Sequence, residues 1–255
     1  MDDIKVIVSL TSHTKERLAN VPYFLFHSIF KYNYDYVKVV LTLYKDDVQY
    51  MPSRLKEMIE LGLVELIVAN ENLRCHLKYF YTMAKYRDLP VITIDDDSIY
   101  PKEMIPDFLR NADKYPNTII ARSCRLINPG HGYANWFECN IGVEGVIWKG
   151  HFNEVRKDMN PEGYGGVYYP PNILEVNDNM IPEIKEFPRA DDIYLTVHEQ
   201  RKHLCCVCPK YDYNKLDKCT RPAYSICTQP DNLKMIDELL ARYFQPNNMQ
   251  ESTHV

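Results

Sequence analysis

Three consecutive carboxylates, Asp95-Asp96-Asp97, close the apolar run Val91-Ile92-Thr93-Ile94 and are followed by Ser98-Ile99-Tyr100-Pro101. A run of that composition reads as a short strand buried on both faces, and such a strand cannot carry unpaired charge into its core. The carboxylates therefore belong at its carboxyl end, where open α/β sheets bind ligands. Strand alternation places Asp95 and Asp97 on one side and Asp96 on the other. Three like charges this close repel unless a cation or a proton intervenes, and oxygen ligands without His or Cys suit Mg²⁺ or Mn²⁺. The plainer alternative is an acidic turn capping a helix that starts near Lys102.

The elements that must position this triplet alternate. Lys5 to Leu10 reads as a buried strand, and Thr11-Ser12-His13-Thr14 turns it into a helix from Lys15 to about Lys31. Val37 to Leu43 is a second strand, Pro52 and Ser53 open a helix through Leu61, and Gly62 closes it as a left-handed cap. Leu63 to Val68 is a third strand and Asn72 to Tyr86 a third helix, leading into the strand that carries the triplet. This is the pattern of a doubly wound sheet with right-handed crossovers. Neither Gly-x-Gly-x-x-Gly nor a P-loop occurs, so the phosphate cradles of those folds are missing and a metal must replace them.

Beyond the triplet the sequence predicts a helix from Glu103 to Lys114, a strand from Thr118 to Arg122, and an ordered stretch from Gly142 to Trp148. Gly163-Tyr164-Gly165-Gly166-Val167-Tyr168-Tyr169-Pro170-Pro171 implies a backbone that approaches something closely beside aromatic faces. Arg189-Ala190-Asp191-Asp192 opens a helix to about Arg201, a cysteine-bearing strand runs to Cys208, and an amphipathic helix spans about Leu233 to Tyr243. One domain over residues 1–245 is expected, with a nucleotide-binding half to about residue 100, a second half after it, and a flexible tail over 246–255.

The formal net charge of −5, without a basic block, argues against nucleic acid as partner. No stretch of about 18 apolar residues is present and the amino terminus lacks the features of a signal peptide, so a cytoplasmic protein with reduced thiols is expected. Cys205, Cys206, Cys208, Cys219 and Cys227 crowd the last quarter, but Cys205 to Cys208 lies in an apolar run that reads as a strand with half-buried thiols, which disfavours zinc. Twenty tyrosines supply flat faces with polar tips, a surface that suits sugars as well as core packing.

Four stretches, taken in order, resemble the GT-A glycosyltransferases, especially bacterial family 2-like enzymes that build surface polysaccharides. They are Val8-Ser9-Leu10-Thr11-Ser12 with Arg17, Asn72-Leu73-Arg74 with Lys78, Ile94 to Pro101, and Ala190-Asp191-Asp192 after Gly-Gly-Val-Tyr-Tyr-Pro-Pro. The resemblance covers roughly residues 4 to 205. It implies a Rossmann-like, open, twisted mixed sheet flanked by helices, and transfer of a sugar from a nucleotide-diphosphate sugar to a glycan or lipid-linked acceptor. It further implies a divalent metal, Mn²⁺ or Mg²⁺, on an Asp-x-Asp motif. Asp97 would bind the metal, Asp95 would bind metal or lie nearer the ribose, and Asp96 would be structural or contact the donor sugar.

By the same resemblance Thr11, Ser12 and Arg17 would flank the nucleotide, and Arg74 and Lys78 would meet phosphates or base. Asp191 and Asp192 stand where inverting members place their base, which takes the acceptor hydroxyl's proton. Asp192 is favoured as base and Asp191 as helix cap. His203, or His198, would complete the metal shell. Trp136, Tyr164, Tyr168 and Tyr169, beside Gly165 and Gly166, would form the acceptor side. A lipid-linked acceptor would bring the protein to the inner face of a membrane without a spanning segment.

Two other function classes compete. A sugar nucleotidyltransferase also needs a metal and an α/β sheet, but it would carry a glycine-rich basic amino-terminal loop, and residues 8 to 17 contain no glycine. A non-catalytic glycan-binding module on the same fold has no need to hold so many costly carboxylates together.

Overall fold

The computed structural model describes residues 4–128, 132, 137–140, 153–209 and 230–243. Its first half is a run of parallel crossovers: β1 (Val6–Thr11), α1 (Lys15–Ser28), β2 (Val37–Tyr44), α2 (Ser53–Glu60), β3 (Val64–Ala69), a 3₁₀ turn (Arg74–Lys78), α3 (Phe80–Lys85) and β4 (Val91–Thr93). There follow α4 (Met104–Lys114), β5 (Ile119–Ala121), β6 (Ser123–Leu126), β7 (Phe137–Asn140), β8 (Val155–Arg156), β9 (Met159–Pro161), β10 (Val167–Tyr169), α5 (Ile181–Glu186), α6 (Asp191–Arg201), β11 (Cys206–Val207) and α7 (Pro230–Tyr243).

The strands form an eight-stranded mixed sheet in the order β3-β2-β1-β4-β10-β5-β11-β8, beside a three-stranded antiparallel sheet in the order β7-β6-β9. β3, β2, β1 and β4 are mutually parallel, and β10 runs antiparallel between β4 and β5. The fold is a single α/β domain with helices on both faces. β1 shows why: Val6, Val8 and Leu10 enter one apolar cluster with Leu18, Leu25 and Phe108, whereas Ile7 enters the other with Tyr79, Phe80 and Tyr194. Alternating side chains of a central strand can both be apolar only when each face is covered.

The expected elements agree with these over most of their length, including Gly62, whose φ of +73° ends α2 as a left-handed cap. One differs. The expected helix from Asn72 to Tyr86 is broken into a 3₁₀ turn and the short α3, with Arg74 at φ +54° and Tyr79 at φ −125° at the joints. An amphipathic α-helix buries one stripe, yet His76, Leu77, Lys78, Tyr79 and Phe80 are all buried in succession. The segment is enclosed on several sides, and the tighter turn satisfies that. The stretch Gly142 to Trp148, Trp136 and the 246–255 tail lie outside the described residues.

β10 corrects a second expectation. Tyr168 and Tyr169 are 6% and 3% exposed and point into the two opposite core clusters, so their rings fill the protein's interior and do not face an acceptor. The Tyr168 ring stacks on Phe108 at 6.3 Å. Gly165 and Gly166 likewise make room for the protein's own elements. A Cβ on Gly165 would meet Ser123 and Arg122 at 3.3–3.4 Å, and Gly166, at φ +87°, would press on Met104 and Phe108. In the cysteine-bearing segment buried Cys206 is a free thiol with Sγ 3.7 Å from Cys124 Sγ, and buried Cys208 Sγ donates to Arg122 O at 3.7 Å.

Phe108 lies at the centre of this packing, fully buried. Phe108→Ala is expected to lower the unfolding free energy by about 3–5 kcal/mol, read from the urea midpoint at unchanged slope.

Candidate active site

The triplet sits in a turn after β4, so strand alternation does not extend through it. Asp96, 4% exposed, turns back to α1, where Arg17 Nε lies 3.1 Å from both of its oxygens and Nη2 pairs with Oδ1. The same Nη2 reaches Asp97 Oδ2 at 3.1 Å. Asp97 thus shares a cation with Asp96, while the charge of Asp95 acts on it more strongly than that of Asp96 does. Asp95 lies 3.4 Å from Nζ of Lys78.

Lys78 is the meeting point. Its side chain is 7% exposed, and Nζ lies 2.6 Å from Asp191 Oδ2, 3.5 Å from Asp192 Oδ1 and 3.4 Å from Asp95 Oδ1. An ammonium has three protons, and three carboxylates surround this one. Asp191 and Asp192 are the first two residues of α6, where acidic groups also meet the positive end of the helix dipole. Asp191 was expected to cap this helix; its carboxylate instead pairs with Lys78, while Ala190 supplies the first helical carbonyl, accepting from Tyr194 N at 2.7 Å.

The chain fixes Lys78 against α6 through His76. Burial pushes the His76 imidazole down to about 4, so the ring is neutral. Nε2–H then donates to Phe187 O at 2.9 Å, and Nδ1 accepts from the Tyr79 hydroxyl at 2.8 Å. Cys75 Sγ donates to Pro188 O at 3.1 Å. The 3₁₀ turn and the loop entering α6 are thereby clamped together.

The turn before β10 closes the site from a third side. Gly163 N–H donates to Asp192 Oδ2 at 2.9 Å. Glu162 accepts from Ser123 Oγ at 2.6 Å and from Arg125 Nε at 2.7 Å, which holds that turn to β6. Tyr100 ties it to the triplet: its hydroxyl accepts from Asp95 N at 3.0 Å and donates to Tyr164 O at 3.1 Å. Gly163, Tyr100, His76 and Glu162 were not singled out from the sequence. Gly163 and Tyr100 stood inside motifs that were noticed, but nothing local announces their partners.

Among the described residues five carboxylates crowd around two cations, Arg17 and Lys78, and the acids record the crowding and the burial. Burial raises Asp97 above its ordinary value, and Asp95 adds to the shift. Burial also raises Asp192, to about 7, with Asp191 adding to it against the pull of Lys78. Asp191 goes the other way, to about 2: burial opposes its ionisation, but Lys78 at 2.6 Å outweighs burial.

The remaining expected residues are spread around this centre. Thr11 Oγ1 donates to Thr42 O at 2.8 Å and is committed to the β1–β2 junction. Ser12 is 2% exposed with its hydroxyl unpartnered, and the capping role falls to Thr14, which accepts from Arg17 N. Arg74 is exposed on the rim, close enough for its charge to act on His13, whose pKa is lowered chiefly by burial and by Arg17. His203 is not brought to the triplet. It is exposed, at φ +55°, past the carboxyl end of α6, and the 11 residues of that helix separate it from Asp191 by about 16 Å. His198 lies instead beside Glu183, at 3.6 Å.

Among the described residues no three His, Cys, Asp or Glu groups form a metal cage by themselves. Mg²⁺ and Mn²⁺ do not require one, since they are commonly held by one or two carboxylates together with substrate phosphates and water. The all-oxygen donor set and the excess negative charge of Asp95 and Asp97 fit that mode; His203 has no part in it.

The fold is that of the GT-A glycosyltransferases. The Staphylococcus aureus TarS fragment 1–349 in complex with UDP superposes with a TM-score of 0.50 at 14% identity, over 81% of this chain and 59% of that one. The chain thus spans about three fifths of that fragment's length. A 4-diphosphocytidyl-2C-methyl-D-erythritol synthase gives 0.48 at 10% identity, over 93% and 98% of the two chains. The Pyrobaculum calidifontis mannosyltransferase PcManGT, with GDP-Man and Mn²⁺, gives 0.35 at 16% identity, over 46% and 34%. No family model matches the chain, and no curated protein matches it in sequence.

A Cβ on Gly163 would fall 2.4 Å from Lys78 Nζ and 2.9 Å from Asp192 Oδ1. Both are ends of side chains that can move, so Gly163→Ala is expected to fold with a melting temperature within a few degrees of the parent. Binding of pyrophosphate, measured by calorimetry, is expected to weaken about tenfold or more, because the methyl group displaces the two charged groups the site is built on.

Proposed function

We propose that this protein is a metal-dependent glycosyltransferase that moves a sugar from a nucleotide-diphosphate sugar to a hydroxyl of a glycan or lipid-linked acceptor, with inversion. One observation carries the reading: residues about a hundred positions apart, Asp95 on the triplet and Asp191-Asp192 on α6, converge within 3.5 Å of one buried ammonium. A donor-side acidic turn next to a carboxylate able to act as base is the arrangement this reaction needs.

In this reading the β3-β2-β1-β4 half of the sheet carries the nucleotide, with Ser12, Arg17 and the rim residue Arg74 around it. The second half carries the acceptor, which attacks from the side of the Gly163 turn. Asp97 and Asp95 would hold the Mg²⁺ or Mn²⁺, which when bound supplies positive charge for the leaving diphosphate. Arg17 keeps Asp96 and Asp97 oriented, and Lys78 adds a second positive group on the diphosphate side. Asp192, steered by the Gly163 N–H, takes the proton of the acceptor hydroxyl. As that oxygen bonds to the anomeric carbon, the carbon–phosphate oxygen bond breaks and the nucleoside diphosphate leaves with the electron pair. Among the described residues no helix is long and apolar enough to cross a membrane, so contact with a lipid-linked acceptor would be peripheral.

Calorimetric titration with UDP-, GDP- and CMP-linked sugars, with and without Mn²⁺, tests the donor site. Metal-dependent binding of one of them, lost in Asp97→Ala, is the expected result, and binding of none would sink the reading. Once the donor is identified, Asp192→Asn is expected to lower kcat by about 10²–10⁴-fold while the fold is kept. Because Asp192 must be ionised to accept a proton and its pKa is about 7, kcat/KM is expected to climb as pH rises through about 7. A flat profile from pH 5.5 to 8.5 with the parent protein would remove Asp192 from the role of base.

A further inference from the structure

The three contacts of Lys78 are unequal. Nζ is 2.6 Å from Asp191 Oδ2, a close ion pair, but donates only a long hydrogen bond to Asp95 Oδ1 at 3.4 Å and lies 3.5 Å from Asp192. Asp191 is only 10% exposed, and its ionised form depends on that ammonium, so the tight contact is the one least able to break. Asp95 and Asp192 are about 30% exposed and open towards the site. The lysine is therefore anchored at one carboxylate and loosely shared between two others, one in each half of the proposed site.

We propose that Lys78 couples the two halves: held by Asp191, it exchanges its contacts with Asp95 and Asp192 for oxygens of the incoming diphosphate, and so releases Asp192 to act as base only when donor is present. This rests on the glycosyltransferase reading and adds an order to it. In the empty site Asp192 has a cation at 3.5 Å that holds down its affinity for a proton. Diphosphate oxygens offer that cation a stronger and more convergent charge than two separate carboxylates. The Asp192 Oδ2 bond to Gly163 N–H is untouched by the exchange, so the base keeps its aim while it gains basicity. Gly163 is the residue that leaves room for the movement, since no side chain stands between its backbone and Nζ. Lys78 is in this sense a positioning residue for Asp192 as well as a contact of the donor.

The coupling is measurable without knowing the sugar, using inorganic pyrophosphate as the probe in a double-mutant cycle read by calorimetry in the presence of Mg²⁺. Asp192→Asn removes the competitor for Lys78 and is expected to tighten pyrophosphate binding about tenfold in the parent background. In a Lys78→Met background the same substitution is expected to change binding by less than about twofold. A tightening of equal size in both backgrounds would mean that Asp192 acts on the anion by simple repulsion, and would overturn the exchange. If Lys78→Met fails to fold because Asp191 is left unpaired, Lys78→Gln, a neutral side chain whose amide N–H donors sit one bond short of Nζ, completes the cycle with the same criterion. Pyrophosphate binding that is absent from every variant, the parent included, would overturn the donor-site reading itself. Binding with no coupling overturns the role of Lys78 alone.

Discussion

A single buried ammonium, Nζ of Lys78, joins the acidic turn after β4 to the first turn of α6. Removing it would leave Asp191 ionised in the protein interior with no cation near, a state several kcal/mol less favourable than the paired one. Much of the local architecture follows from keeping that pair. The 3₁₀ turn stands where a longer helix was expected, because the run His76 to Phe80 is buried on several sides, and the turn carries its first three residues, Lys78 among them, inward. His76, kept neutral by burial, fastens the turn to the loop that starts α6. A charged imidazole there would add a second cation beside Lys78 and weaken the balance with Asp191.

The sequence made the sheet legible because its strands are buried on both faces. Val6 to Leu10, Val37 to Leu43 and Val91 to Ile94 are mostly apolar on both faces of the strand, and that composition has few other uses. The carboxylates could be placed for the same reason, since charge must leave such a strand at its end. Their partners could not. Arg17 is 79 residues from Asp96, and Lys78 is 113 from Asp191, so which cation meets which carboxylate is decided by how α1 and α6 pack on the sheet. Alternation also gives no account of Arg17 reaching both Asp96 and Asp97, because the strand ends at Thr93 and a turn has no two-residue period.

The aromatic run after Gly166 shows a different limit. Tyrosines suit both sugar faces and cores, and composition does not choose between them. Here β10 lies between β4 and β5, covered on both faces, so Tyr168 and Tyr169 had nowhere to go but inward. The glycines beside them follow the same logic. Gly165 and Gly166 yield to the protein's own side chains, and only Gly163 yields to the charged centre. A glycine-rich stretch therefore signals close approach, while its neighbours in space decide what is approached.

The distribution of charge points to why the centre is built as it is. A protein selected only for stability would match its buried acids with cations or replace them, because each unneutralised carboxylate in a crowded turn disfavours folding. Among the described residues five carboxylates stay beside Arg17 and Lys78, and burial, with neighbouring carboxylates adding to it, raises both Asp97 and Asp192. Asp96 and Asp191, the two most buried, take the shortest ion pairs, whereas Asp95, Asp97 and Asp192, each a quarter to a third exposed, keep the longer ones. The deep pair secures the frame. The outer three are, under the proposed function, the groups that would meet a divalent cation and a proton in transit, so the crowding of carboxylates that disfavours folding would also favour binding of a cation.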